Sequence, residues 1–186
     1  MTSIDAKEAA SALSDIEDIS RRVRRSQIYE LASQIMIMWG VLIIAANLAT
    51  WASPRYAGSI WIGVNTLGVL GTTVLSTSGG PRSGARRADP RRLAAFLLFF
   101  AFGYFCSGML GHFGGRQMDA FWPIYFMLFY VLAGLWLANA FVVIGLSITA
   151  LILIGYFFVE GAVFSLWMAL FHGGGLVLGG LWMRRD

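Results

Sequence analysis

Basic residues occur in three clusters along this chain, and long apolar stretches separate the clusters. Twelve of the fourteen lysines and arginines belong to them. The clusters are Lys7 with Arg21, Arg22, Arg24 and Arg25; Arg82, Arg86, Arg87, Arg91 and Arg92; and Arg184 with Arg185. Only Arg55 and Arg116 lie between clusters. Because positive charge is retained on the cytoplasmic side of a membrane, the pattern predicts an even number of crossings between clusters and both termini in the cytoplasm.

The composition also predicts a membrane protein. Hydrophobic residues make up 58% of the chain and charged residues 13%, against roughly 45–50% and about 25% in soluble domains. A length of 186 residues leaves room for one bundle and no separate soluble domain. The single cysteine, Cys106, excludes an internal disulfide. We expect no nucleic-acid partner, because the arginines flank apolar segments, where topology and anionic lipid headgroups explain them.

Stretches free of charge give the number of spans. Four have the length of one helix, whereas residues 120–159 form a stretch of twice the roughly 20 residues that one spanning helix needs. A turn at Ala138, Asn139 and Ala140 divides that stretch in two. The predicted spans are 31–51, 58–77, 93–112, 120–138, 141–159 and 163–183. The fold class is therefore predicted to be all-α: a polytopic protein of the bacterial inner membrane, with six transmembrane helices and cytoplasmic N and C termini.

The polar sequence is concentrated in two segments outside the spans. Residues 1–27 predict a cytoplasmic amphipathic helix, with Leu13, Ile16, Ser20 and Val23 on one stripe. Residues 78–92 are rich in Gly, Pro, Ser and Arg and predict an irregular cytoplasmic loop. The chain thus divides into this first helix and a six-helix bundle over residues 28–186.

Small residues recur at helical spacing in two of the spans. Gly103, Ser107 and Gly111 share one face of the third span, and Gly175 and Gly179 repeat the spacing in the sixth. Such faces let two helix backbones approach closely. They indicate helix packing within the monomer, with a homo-oligomer interface as the alternative.

His172 is the ionisable residue closest to the middle of a predicted span, which makes it a candidate functional residue. Asn65 is predicted at similar depth in the second span, and Asn47 and Ser107 approach from the first and third. Together the four predict a polar pocket in the outer half of the bundle. Three interpretations stay open: hydrogen bonds between helices, a ligand or solute pocket, and proton or metal chemistry.

The sequence predicts no catalytic residue, no metal site and no cofactor. Intramembrane hydrolysis needs a nucleophile with a base or paired acids, and no Asp or Glu lies inside a predicted span. His112 and His172 are predicted at different depths. Cys106 lies between them, which leaves a Cys and His site open, but no known metal-ligand spacing is present.

Two segments resemble a group of small six-span bacterial inner-membrane proteins of unassigned function. These are Arg24–Ala32 before the first span, and Leu166–Met168 followed by His172–Arg185 in the sixth. Genes of such families often lie close to those of transcription regulators. The resemblance therefore implies a signalling role, and it assigns no site residue.

We expect a non-enzymatic membrane protein that couples the bundle to a cytoplasmic partner through residues 1–27 and 78–92, because nearly all polar sequence is predicted on that side. The alternative is a small-solute transporter or channel that uses the outer-half polar pocket. A redox protein with a bound cofactor is the third class considered.

Overall fold

A computed structural model describes residues 6–78, 90–109 and 113–185, and all of its regular elements are helices. They are α1 Ala6–Ala52, α2 Ala57–Ser78, α3 Pro90–Met109, α4 Gly115–Trp136, α5 Asn139–Phe158 and α6 Val163–Met183, with a 3₁₀ turn at Pro54–Tyr56. Within α6, the segment Ala169–Gly173 is a π turn. The described part of the chain contains no strand. The prediction of an all-α fold is confirmed.

Five helical segments are long and apolar enough to cross a membrane. They are Tyr29–Ala52, Pro54–Thr77, Gly115–Trp136, Asn139–Phe158 and Val163–Met183, and α3 adds a shorter apolar stretch, Leu97–Met109. The long charge-free stretch is broken as predicted. There α4 ends at Trp136 and α5 begins at Asn139, with an extended backbone at Ala138.

Helix α1 continues without a break through the predicted boundary between residues 27 and 28. Its 47 residues give a length of about 70 Å at 1.5 Å per residue. Leu13 and Ile16 are exposed on its N-terminal part, as is Ile19, whereas the side chains of Ser20 and Val23 lie outside the described part. The predicted loop also lies mostly outside it, and residues 90–92 belong to α3.

The helices pack in the order α2, α1, α6, α5, α4 and α3, so the second and third helices lie at opposite ends of the row. The centre is formed by α1, α4, α5 and α6. The most deeply buried large side chains, Met36, Met127, Ile152 and Leu176, come from these four helices. Sequence neighbours α2 and α3 are each held mainly by one partner, α1 and α4 respectively.

Glycines allow α1 and α6 to pack with their backbones close together. A β-carbon at Gly40 would lie 2.7 Å from the Gly173 oxygen, and one at Gly180 would lie 2.9 Å from the Ser33 oxygen. The buried hydroxyl of Ser33 donates a 2.6 Å hydrogen bond to the Gly180 oxygen. Later residues of α6 contact earlier residues of α1, so the two helices are antiparallel. Arg184 therefore lies near the beginning of the α1 span.

Three of the other small residues identified in the sequence contact neighbouring helices of the same chain. A β-carbon at Gly103 would lie 2.9 Å from the Tyr125 ring of α4, and Ser107 is buried on the same helix. Gly175 and Gly179 of α6 contact side chains of α5 in the same way. Gly111 lies outside the described residues.

Arg116 joins three helices at the end of the bundle opposite Arg184. From the first turn of α4, its guanidinium donates hydrogen bonds to the carbonyl oxygens of Tyr156 and Val159, at the C-terminal end of α5. It also lies over the rings of Tyr156 and Phe164, at 5.4 and 5.1 Å from their centroids. Carbonyl groups in the last turn of a helix lack hydrogen-bond donors within the helix. The Arg116 guanidinium is the donor here.

Candidate functional site

The candidate site is the seam between α1 and α6 at His172. The side chain of His172 is only 5% exposed, and its Nδ1 has no hydrogen-bond partner among the described residues. His172 belongs to the π turn Ala169–Gly173, which lies in the middle of the membrane-length helix α6. A π turn inserts an extra residue into a helix and is frequent at functional sites. The buried imidazole thus lies in the middle of α6, on a locally irregular backbone.

The wall opposite the π turn is formed by α1. A β-carbon at Gly173 would lie 3.0 Å from the backbone nitrogen of Ile44, which leaves little space between the backbones. Asn47 follows Ile44 by one turn; it is buried, and its amide donates a 2.9 Å hydrogen bond to the Ile43 oxygen. Thr50, one turn further on, has a buried hydroxyl with no partner among the described residues. Two buried polar atoms of these helices, one on α6 and one on α1, therefore lack a partner among the described residues.

These unpartnered atoms limit what the seam can do chemically. A buried polar atom without a partner costs about 1–3 kcal/mol, and buried water usually satisfies such groups in folded proteins. An imidazole nitrogen and a hydroxyl can hold a water molecule or another small polar group. The described residues contain no group of three His, Cys, Asp or Glu side chains that could hold a metal ion. Each of the two unpartnered atoms, one on α6 and one on α1, can therefore accept a hydrogen bond from, or donate one to, a water molecule or another small polar group.

Two of the four predicted pocket residues lie at this seam and two do not. Asn47 and His172 are both buried on the helices that form it. Asn65 is exposed on α2, where its amide donates to the Trp61 oxygen of the same helix. Ser107 is buried on α3, which packs against α4, and its hydroxyl donates to the Tyr104 oxygen. Although the four residues were predicted at similar depth, they do not form one pocket, because α2 and α3 pack at opposite ends of the row of helices.

Sequence reasoning missed Thr50, whereas it gave Gly173–Gly175 as the candidate helix break of the sixth span, next to the observed π turn. The signal for Thr50 was available, since it follows Asn47 at the spacing that continues the face of Ser33, Gly40 and Asn47. The Gly173–Gly175 run was the signal for an irregular backbone in α6. Cys106 is half-buried on α3, and His112 lies outside the described residues. No family model, curated protein or solved structure matches this chain, so no residue receives a role from a relative.

Proposed function

We propose that this chain is a non-enzymatic protein of the bacterial inner membrane that couples its bundle to a cytoplasmic partner through α1. It has six spans and cytoplasmic termini, with α3 as the third span, because residues 93–109 of α3 carry no charge and about 17 residues is the lower limit for a spanning helix. The antiparallel contact of α1 and α6 supports this topology. It brings Arg184 and Arg185 to the end of the α1 span that leads to Arg21–Arg25, as the retention of positive charge requires.

The unbroken α1 helix is the observation that carries the proposal. Its span is held against α6 by Ser33 and Gly40, and its N-terminal part presents the exposed apolar residues Leu13, Ile16 and Ile19. Exposed apolar side chains on a helix outside the membrane are a typical docking surface for another protein. Because no break separates the two parts, a shift of α1 at the His172 seam moves the docking surface as well.

Alanine insertions after Gln27 test this coupling, because they rotate residues 1–27 about the axis of α1 relative to its span. Two alanines turn residues 1–27 by about 200° relative to the span, whereas four turn them by about 40°. With a photocrosslinking amino acid at position 16, we expect the crosslink to the cytoplasmic partner to disappear with two alanines and to persist with four. The partner contacts both this helix and residues 78–92, so its binding depends on their relative direction. Equal crosslinking in the two insertion variants would overturn the coupling role of α1.

A small-solute transporter or channel is the second candidate, because His172 on α6 and Thr50 on α1 have buried polar atoms without a partner among the described residues. Purified protein in liposomes, placed in glycerol or urea gradients, gives the solute flux by light scattering. For a transport function we expect His172→Ala to reduce the flux at least tenfold and Asn65→Ala to leave it unchanged, since Asn65 is exposed on α2. Flux no higher than in empty liposomes, or equal flux in both variants, would count against a pathway at the seam.

A further inference from the structure

A groove lies between α5 and α6 on the outside of the bundle. Its volume is about 280 Å³, and its walls are almost entirely apolar. The walls include Val143, Ser147 and Leu151 of α5 and Gly175, Leu178 and Trp182 of α6. The groove follows α6 from Gly175 to Trp182, a rise of about 10 Å. Gly175 and Gly179 also line it, at the points where α6 packs closely against Ile148 and Ile144 of α5.

Two arginines follow the end of the groove along the chain. Trp182 forms part of its wall, and Arg184 and Arg185, two and three residues further along the chain, are exposed. Neither guanidinium forms an ion pair or hydrogen bond with a described residue. Tryptophan and arginine at the end of a spanning helix are typical of the headgroup region of a bilayer. An apolar groove therefore leads from the middle of α6 toward two arginines that have no partner among the described residues.

We propose that this groove holds one acyl chain of an anionic phospholipid, with its phosphate against Arg184 and Arg185. Charge complementarity identifies the headgroup, because each arginine near the membrane surface favours an anionic lipid by about fivefold. The apolar lining favours an acyl chain as the occupant. Lipid tails are as apolar as the groove, so no hydrophobic force drives another helix into it. The lipid would contact both α5 and α6 and hold them together at the cytoplasmic end.

Native mass spectrometry of the full-length protein in detergent tests the headgroup contact. The probes are palmitoyl-oleoyl phosphatidylglycerol, which is anionic, and palmitoyl-oleoyl phosphatidylcholine, which is zwitterionic. We expect the first phosphatidylglycerol to bind at least tenfold more tightly than the first phosphatidylcholine, and we expect Arg184→Gln with Arg185→Gln to remove that preference. Arg55→Gln, at the opposite end of the bundle, should preserve it. Equal affinity of the wild-type protein for the two lipids would refute the proposal.

A matched pair of tryptophan substitutions tests the groove itself. Ser147 lines the groove and Leu146 does not, and both are exposed neighbours on α5. Ser147→Trp should fill the groove and weaken binding of the first phosphatidylglycerol at least tenfold, whereas Leu146→Trp should leave it unchanged. Equal binding by both variants would contradict the assignment. A disulfide-linked dimer of Ser147→Cys in a Cys106→Ser background would assign the groove to a second copy of the chain instead.

Discussion

Gly40→Ala should lower the free energy of unfolding by about 2–3 kcal/mol, as overpacking of a closely fitted interior does. The new β-carbon would lie 2.7 Å from the Gly173 oxygen and 2.9 Å from the Val177 nitrogen. Both are backbone atoms, so no side-chain rotation relieves the clash and the helices must move apart. Their separation would also stretch the buried hydrogen bond from Ser33 to Gly180. Reversible unfolding in mixed detergent micelles, followed by circular dichroism, measures the change.

Gly63→Ala is the matched control for Gly40→Ala. Gly63 lies in the interior of α2, and a β-carbon there would have no atom within 4 Å. Alanine is the better helix former by up to about 1 kcal/mol, so this variant should be as stable as the wild-type protein or slightly more stable. If the Gly40→Ala and Gly63→Ala variants unfold at the same detergent fraction, this would contradict the close packing of the α1 and α6 backbones at Gly40.

Arg116→Ala should lower the free energy of unfolding by about 3 kcal/mol. Hydrogen bonds to a charged group contribute about 1.5–3 kcal/mol, and cation–π contacts add about 0.5–2 kcal/mol. The substitution leaves the carbonyl oxygens of Tyr156 and Val159 without their donor and separates the ends of α4, α5 and α6. The same detergent-unfolding experiment measures the effect.

Two further arginine variants separate the effect of the Arg116 hydrogen bonds from the effect of its charge. Arg55 is exposed and lies 6.0 Å from the Tyr56 ring centroid, and no hydrogen bond joins its side chain to the described residues. Arg55→Ala should therefore change stability by less than about 0.5 kcal/mol. Arg116→Lys keeps the charge but loses the planar fork that reaches two carbonyl groups, so it should restore part of the lost stability. A destabilisation equal in Arg55→Ala and Arg116→Ala would show that charge at this end matters and the hydrogen bonds do not.

Much of the helix layout was predictable from the sequence. The predicted first span, 31–51, corresponds to Tyr29–Ala52, and the predicted sixth span coincides with Val163–Met183. Both follow from mean hydropathy and from the positions of charged residues, which are properties of a short stretch of chain. The turn near Asn139 was predictable for the same reason, because one spanning helix has a limited length.

The candidate site was predictable only in part. Burial of His172 and Asn47 follows from their positions on faces rich in small residues. The exposure of Asn65 does not follow, because the side chain shares its depth with His172 and only the neighbours of α2 determine where it points. Arg116 illustrates the same limit. Its sequence position predicts a residue on the outer side, whereas its hydrogen bonds depend on where α5 ends in space.

Local hydropathy and charge were thus sufficient to locate the membrane-length helices, since each residue's transfer into lipid depends little on distant parts of the chain. Which helices touch was decided by the tertiary structure. Gly40 meets Gly173, and Tyr125 meets Gly103, because the surfaces of helices far apart in sequence fit together. Lipid tails are as apolar as the helices, so hydrophobicity does not select the partners, and close packing and a few hydrogen bonds do so instead.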